Sequence, residues 1–499
     1  MEEQLCFTTG STCTVAFLNA AKQTDLKQCG TEFRNGSVRV GPSHLFVAQR
    51  RKALINIYKI SGTGSRESVE QRLALPEPVS CLEVVKNVES QEWPYLLLAS
   101  TPTGKLYVWE LGSGQLLTAK SLAHYQPITK IQSIVNGKYV ITSGLDSRLM
   151  IWQTMDLVTQ EDPKPVYTLH DHTLGITDFC VSNAHATTHL SGKLFTVSHD
   201  MTLRCYDLNI EVWPQPHLLA TFTFSGPLEC VTLDSADRAC YVGGPQGTHQ
   251  VNFYYPLGST KIVNLLSAEG NRIMSCVESQ AQENVRELYT MGQIVCPKIT
   301  GASSTKLACS MDGSQLVVGD SLGKCTVMDI FSKQPLKELH SIVSNESCGE
   351  VTSLVLDLID QDPSESLLAT GKSQIEHKFP NLQKNVFTRE GLHDVYCQIT
   401  ADREEAVAPL DDFQSYLNQV ASEENAFMQL GSVVSTVKVV GQMEHQEEAN
   451  MEAKVSSESE ELTTMKETVG QLTGAYKDLR EMYEKLFREH ETLLSNKEN

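Results

Sequence analysis

Apolar and polar residues alternate in short runs over the first four hundred positions, and tight polar turns interrupt the runs. Tyr95–Trp109 reads YLLLASTPTGKLYVW, Tyr139–Trp152 reads YVITSGLDSRLMIW and Leu194–Tyr206 reads LFTVSHDMTLRCY. Leu316–Asp329 (LVVGDSLGKCTVMD) is a degenerate copy, and Leu45–Tyr58 (LFVAQRRKALINIY) fits more loosely. Alternation with period two puts one set of side chains on each face of a strand. A turn holding Asp or Gly then reverses the chain, so each copy predicts an antiparallel hairpin. The corresponding aromatic ends Tyr58, Trp109, Trp152 and Tyr206 are 51, 43 and 54 residues apart. That spacing brackets the ~40–45-residue period of a propeller blade, with room for loops.

Two copies carry more of a WD-repeat signature. His124 opens HYQPITKI ahead of Asp146 and Trp152, and His172 opens HTLGITDF ahead of Asp200 and Tyr206. Each trio is expected to meet inside its blade, where the polar atoms of His, Asp and the aromatic satisfy one another. His172 alone could serve as a general base or metal ligand; in this setting a structural hydrogen bond is the reading. Weaker units fill in the rest: strands near Leu5–Thr9 and Thr14–Leu18, a first strand at Val79–Val85, and a full unit in Leu228–Phe253. Val351–Leu358 is expected to begin a last unit, completed by Asn385–Phe387 and His393–Ile399. The fold class is therefore all-β: a WD-repeat β-propeller of seven blades over residues 1–400, followed by a C-terminal α-helical extension with a coiled coil.

The pattern changes after about Ala401. Pro409-Leu410-Asp411-Asp412 is a helix-start signal, and Phe413, Tyr416, Leu417 and Val420 recur on one face of the helix that follows. This segment, 401–440, either packs on the propeller or binds a partner. Residues 441–460 form an acidic, Glu-rich linker. Within 461–495, Leu462, Met465, Val469, Leu472, Tyr476, Leu479, Tyr483, Leu486, His490 and Leu493 alternate spacings of three and four. Such a heptad seam predicts a coiled-coil helix, weakened by Gly470 and Gly474 at up to ~1 kcal/mol each. The seam does not say whether its partner is a second copy or another protein.

Composition narrows the function classes. The chain has 41 basic and 61 acidic residues, a formal charge of −20, which argues against nucleic-acid binding by the whole surface. Its start lacks the charged and apolar regions of a secretory signal, and no stretch approaches the ~18 apolar residues of a membrane span. Fourteen cysteines without a C-x-x-C pair read as small apolar residues in a reducing compartment. No cofactor is expected. Gly319-Asp320-Ser321-Leu322-Gly323 matches the nucleophile-elbow pattern, but the residues after it alternate as a strand rather than a helix, so it reads as a hairpin turn. Gly371-Lys372-Ser373 lacks the first glycine of a phosphate loop, and Gly62 and Gly64 lack the third of a dinucleotide fingerprint. His185 and His189 have no third ligand partner, and Arg50-Arg51-Lys52 reads as a solvated strand end.

Specific stretches add a resemblance. KALINIY (Lys52–Tyr58), RESVEQRL (Arg66–Leu73), CLEVV (Cys81–Val85), NGKYVITSG (Asn136–Gly144) and LHDHTLGITDF (Leu169–Phe179) belong to it. So do LDSADRACYVG (Leu233–Gly243), EVTSLV (Glu350–Val355), PLDDFQSYL (Pro409–Leu417) and AYKDLREMYEKL (Ala475–Leu486). In these the chain resembles the fungal WD-repeat subunit of the nuclear complex that matures the large ribosomal subunit and processes its internal transcribed spacer. The resemblance implies a non-catalytic scaffold, not an enzyme, located in the nucleoplasm with nucleolus and chromatin as further sites. It implies as partners a large helical-repeat scaffold subunit, a smaller helical-repeat subunit, the pre-large-subunit ribosomal particle and an AAA-type remodelling ATPase, midasin. Self-association through the C-terminal helix is also implied, without membrane contact and with direct RNA contact left open. The alternative reading is a substrate receptor or adaptor in a ubiquitin-ligase or chromatin-associated assembly.

Overall fold

The structure, a computed structural model, describes residues 2–41, 43–49, 51–60, 67–86, 94–182, 192–209, 215–257, 261–267, 272–278, 285–342, 349–359 and 378–386. The segments 401–440, 441–460 and 461–495, with the seam Leu462–Leu493, lie outside the described residues.

The alternating runs form antiparallel meanders. β1 (Glu2–Thr9), β2 (Cys13–Phe17) and β3 (Gln23–Leu26) come first. The first sheet contains β4 (Ser37–Val40), β5 (His44–Ala48), β6 (Leu54–Lys59) and β7 (Gln71–Ala74). The second contains β8 (Cys81–Lys86), β9 (Pro94–Ser100), β10 (Leu106–Glu110) and β11 (Leu116–Lys120). The third contains β12 (Ile128–Ile134), β13 (Tyr139–Gly144), β14 (Leu149–Gln153) and, after the short helix α1 (Thr154–Thr159), β15 (Tyr167–Leu169). The fourth starts as β16 (Ile176–Val181), β17 (Lys193–Ser198), β18 (Thr202–Asp207) and β19 (His217–Thr223).

The fifth sheet departs from the simple repeat. β20 (Cys230–Leu233), β21 (Ala239–Gly244) and β22 (Gly247–Asn252) are consecutive, but their outer strand comes much later. A ribbon of β23 (Tyr254–Pro256) and β24 (Ile262–Asn264) follows β22. Next, β25 (Arg272–Val277) pairs in parallel with β19, α2 (Val285–Thr290) intervenes, and β26 (Gln293–Val295) pairs in parallel with β25. Only then does β27 (Lys298–Thr300) return to β22. The sixth sheet is β28 (Ser304–Cys309), β29 (Gln315–Asp320), β30 (Cys325–Asp329) and β31 (Pro335–Leu339), and β32 (Val351–Ile359) ends the series. The described residues thus form six four-stranded sheets, one six-stranded sheet and one two-stranded ribbon, the all-β architecture of a propeller.

Two expectations are corrected. Val351–Leu358 does not begin a separate unit: β32 pairs with β1 from Glu2↔Ile359 to Thr9↔Val351 and completes the sheet of β1–β3. The edge of β1 would otherwise present a row of unpaired backbone groups, and β32 satisfies them. Val386 instead bridges Leu116 on β11, while His393–Ile399 lies outside the described residues. Leu228–Phe253 holds three strands of its sheet, not a full unit, because β27 supplies the fourth.

The core is divided into layers between neighbouring sheets. Phe46 and Leu73 of the first sheet pack with Leu97 and Trp109 of the second, and Leu5 and Phe7 of β1 pack with Val317 and Val327 of the sixth. Inner strands follow one another around the axis as β4, β8, β12, β16, β20, β28 and β32, and β32 lies back beside β4.

A repeated threonine fastens these inner strands. Thr129, Thr177 and Thr305 each sit where the register shifts by one residue against the next strand. A bulge leaves its extra residue unpaired. Here the hydroxyl of the extra residue reaches the neighbouring sheet: Thr129 Oγ1 donates to Ile176 O, Thr177 Oγ1 to Leu228 O and Thr305 Oγ1 to Val351 O, each at 2.9 Å.

The residue after each of these threonines is charged, and the three charges meet. Asp178 Oδ1 is 3.0 Å from Lys130 Nζ and its Oδ2 is 2.9 Å from Lys306 Nζ, with Asp178 and Lys306 both buried. Burial works to raise the Asp178 carboxyl, but the two ammonium groups hold it below the usual carboxylate range. Burial also pulls Lys306 down. Arg34, just before β4, reaches Glu229 and Glu350, which precede β20 and β32. The axis is therefore tied across the ring by ion pairs as well as around it by threonines.

Removing one member of a buried ion cluster strands the others without solvent, at a cost of about 3–5 kcal/mol. Asp178→Ala should therefore lower the urea unfolding free energy by about that amount. A loss within the ±0.5 kcal/mol typical of surface substitutions would contradict the axial role.

Candidate functional site

The residues singled out by the WD signature sit at one end of the ring, where the loops entering β12 and β16 meet the hairpins β13–β14 and β17–β18. His124 is fully buried; its Nδ1 is 3.0 Å from Asp146 Oδ1 and its Nε2 is 2.8 Å from Thr142 Oγ1. Trp152 Nε1 donates to the same Thr142 hydroxyl at 3.0 Å. Every group is satisfied if the indole donates to Thr142, the hydroxyl donates to His124 Nε2, and the Nδ1 proton goes to Asp146. Asp146 also accepts the amides of Tyr125 and Arg148, at 3.0 and 3.2 Å, which fixes both the incoming loop and the hairpin.

The next sheet repeats the arrangement. His172 contacts Asp200 through Nδ1 at 2.9 Å and Thr196 through Nε2 at 2.8 Å, and Asp200 accepts the amides of Thr173 and Thr202. For both carboxyls burial pushes upward, yet the His contact and these donors hold Asp146 and Asp200 below their ordinary value.

The geometry differs from a simple trio in two ways. Thr142 and Thr196 stand between His and the aromatic position, and sequence reading had not singled them out; the signal was a Thr at the same strand position in VITSG and FTVSH. Tyr206 does not join its network at all: its hydroxyl donates to Asp171 at 2.9 Å. The other aromatic ends find partners of their own. Tyr58 donates to the carbonyls of Lys27 and Gln28, and Trp109 Nε1 donates to Gln383 O at 2.8 Å. The reason is positional. Tyr58, Trp109, Trp152 and Tyr206 pair with Leu45, Leu97, Val140 and Leu194. Two residues beyond, the first two sheets have Val47 and Ala99 where the third and fourth have Thr142 and Thr196, so the buried donor must look elsewhere.

Beside these fixed networks, apolar side chains face solvent. Tyr125 is 63% exposed, with the Arg148 guanidinium 4.7 Å from its ring centre, and Leu174 and Met201 are exposed at the neighbouring loop and hairpin. At the same end a cleft of about 310 Å³ is lined by Phe33, Gln49, Pro78, Val79 and Pro102 among others, and Gln49 Nε2 is buried there without a hydrogen-bond partner among the described residues. Rigid loops that display apolar and cationic groups can seat a protein partner.

The remaining candidates fall in turns or outside the described residues. Ser321 lies in the β29–β30 hairpin, its Oγ 2.6 Å from Ser303 Oγ. Arg51 and Lys52 lie in the β5–β6 turn, with Arg51 Nε 3.4 Å from Glu32. Gly62, Gly64, His185, His189 and Gly371-Lys372-Ser373 are outside the described residues. Among the described cysteines, burial pushes Cys6 and Cys81 up to about 12, so both stay as thiols.

Thr142→Val keeps the shape of the side chain but leaves the Trp152 indole N–H and the His124 ring nitrogen without a partner. The expected cost is about 2 kcal/mol in urea unfolding, within the range for a stranded buried polar group. A change below a few tenths of that would show the network to be dispensable.

Residues 117–153 and 163–207 match the WD domain, G-beta repeat family. Over nearly its whole length the chain is similar to curated proteins named Pre-rRNA-processing protein IPI3. It is 45% identical to that of Eremothecium gossypii, with 99% of each chain covered, and 47% identical to that of Kluyveromyces lactis, with 97% and 95% covered. Against the Saccharomyces cerevisiae protein the identity is 42%, covering 99% of this chain and all of the relative. Since the likeness extends well beyond the WD repeats to both ends of the relatives, the chain belongs to the fungal IPI3 family of pre-rRNA-processing proteins.

Proposed function

We propose that this protein is a non-catalytic scaffold in pre-rRNA processing, acting in the nucleus on precursors of the large ribosomal subunit and on removal of their internal transcribed spacer. The observation that carries the reading is the end-to-end likeness to relatives whose name states that process. The architecture supports it: the fixed loops display apolar side chains, and the matching nucleophile-elbow serine sits in an ordinary hairpin. These relatives do not favour the reading as a ubiquitin-ligase or chromatin receptor.

We read the ring as seven-bladed, taking the six-stranded sheet as a blade with β25 and β26 added to its rim. The cyclic order of inner strands supports this count. The partners in this reading are the large and the smaller helical-repeat subunits, the pre-large-subunit particle and the midasin-type ATPase. The heptad seam from Leu462 to Leu493 supports a C-terminal coiled coil, which this reading takes as self-pairing on the strength of the family resemblance.

Affinity purification of the tagged protein tests the function. Spacer-containing large-subunit precursor RNA and two helical-repeat proteins should be enriched; their absence alongside a different partner set would overturn it. Leu472→Asp with Leu479→Asp should weaken assembly and reduce the particle mass seen by light scattering, while the propeller keeps its unfolding midpoint. An unchanged mass, alone and in the purified complex, would rule out the coiled coil.

A further inference from the structure

We propose that the outer wall between the first and second sheets is a peptide-binding site, and that Phe379–Gln383 is its resident ligand, held by two side-chain pockets and by capture of its backbone. The segment Phe379-Pro380-Asn381-Leu382-Gln383 follows the last strand of the ring by nearly twenty residues and takes no part in ring closure. Its contacts are those of a docked peptide. Phe379 and Leu382 are buried, at 6% and 5% exposure, whereas Asn381 and Gln383 face solvent. The Phe379 ring stands edge-on to Phe46 at 5.0 Å and to His44 at 5.3 Å. Both anchors join the same apolar layer as Val40, Leu73, Leu97 and Trp109.

Backbone recognition is equally specific. The Gln71 side-chain amide grips Phe379 from both sides, donating to its carbonyl at 2.5 Å and accepting its amide at 3.0 Å. The Trp109 indole donates to Gln383 O, and the Gln383 amide donates to Gly114 O at 2.7 Å. Gly114 has φ +74°, and a Cβ there would stand 2.5 Å from Asn381 O, so a glycine is required for the close approach. Val386 then bridges Leu116 in parallel, which begins to add a strand to the edge of β11. Side-chain anchors combined with pairing at a sheet edge are a general mode of peptide recognition.

The cleft is also incomplete without an occupant. Trp109 is fully buried, and Ala99 stands where the third sheet has the Thr142 that accepts the Trp152 indole. Without the segment the Trp109 N–H would lose its acceptor. The site is thus built to be filled by a carbonyl from a chain that lies outside the meander, and here the chain fills it from its own sequence.

The test uses the full-length protein and a fluorescent peptide of residues 378–386. Phe379→Ala with Leu382→Ala weakens the resident segment, so the peptide should bind this variant saturably and fail to bind wild type. Adding Gln71→Ala should weaken that binding about tenfold, in keeping with the loss of two hydrogen bonds. No binding to a variant that retains its unfolding midpoint, or equal binding to wild type, would overturn the proposal. Should the double variant not fold, a protease site placed within 360–377 of the otherwise native chain replaces it. After cleavage the C-terminal fragment should stay associated and be released by excess peptide. A fragment that resists saturating peptide, or leaves unaided at micromolar protein, would overturn it.

Discussion

The pairing of β1 with β32 is the interaction on which the rest of the structure depends. It joins strands whose buried hydroxyls, Thr8 and Thr352, touch at 3.0 Å although 344 residues separate them in sequence. Until that pairing forms, the sheets make an open row with two unsatisfied ends. Once it forms, every inner strand has a neighbour on both sides, and each apolar layer is covered by two sheets. The entropy of closing so long a loop grows only slowly with its length, so one well-made sheet can hold the ring shut. The threonine bulges distribute this constraint, since each fastens one inner strand to the next, and Asp178 carries it across the axis.

A second theme is how degenerate repeats remain sound. The aromatic on the third strand of a sheet is buried in the four sheets compared above, and its polar atom must be satisfied. In the third sheet Thr142 meets the Trp152 donor within the sheet, whereas in the fourth Thr196 serves His172 and Tyr206 donates to Asp171. Where Ala99 or Val47 replaces the Thr, a carbonyl from another part of the chain serves: Gln383 for Trp109, and Lys27 with Gln28 for Tyr58. What persists from unit to unit is the satisfaction of a buried donor, and the residue that provides it varies. Repeats can therefore lose their signature while the architecture stays intact, provided that loops or arms take over the missing contact.

Much of the architecture was legible because it is local. Alternation in Tyr139–Trp152 and Leu194–Tyr206 marks the strands, and Asp146 and Asp200 mark the hairpins, since both depend on a few consecutive residues. His124 and His172 were visible because each stands at the same short distance before the first strand of its sheet, at Ile128 and Ile176. The threonines at 142 and 196 were not, since Thr is at home in any strand. The threonine–charge pairs Thr129-Lys130, Thr177-Asp178 and Thr305-Lys306 stood in plain view, but alternation alone does not announce a bulge. Non-local choices were illegible. Nothing short-range tells β32 to seek β1, the 272–277 segment to join β19 in parallel, or Phe379 to settle beside Phe46.

Native-state hydrogen exchange on the full chain tests the closure most directly, by comparing amides in β1 and β32 with those in β13 and β14. If closure holds the ring, amides of Cys6 and Val355 exchange only with the free energy of global unfolding, together with those of Ile141 and Ile151. Opening of β1 and β32 at a clearly lower free energy, with β13 and β14 still protected, would contradict the account.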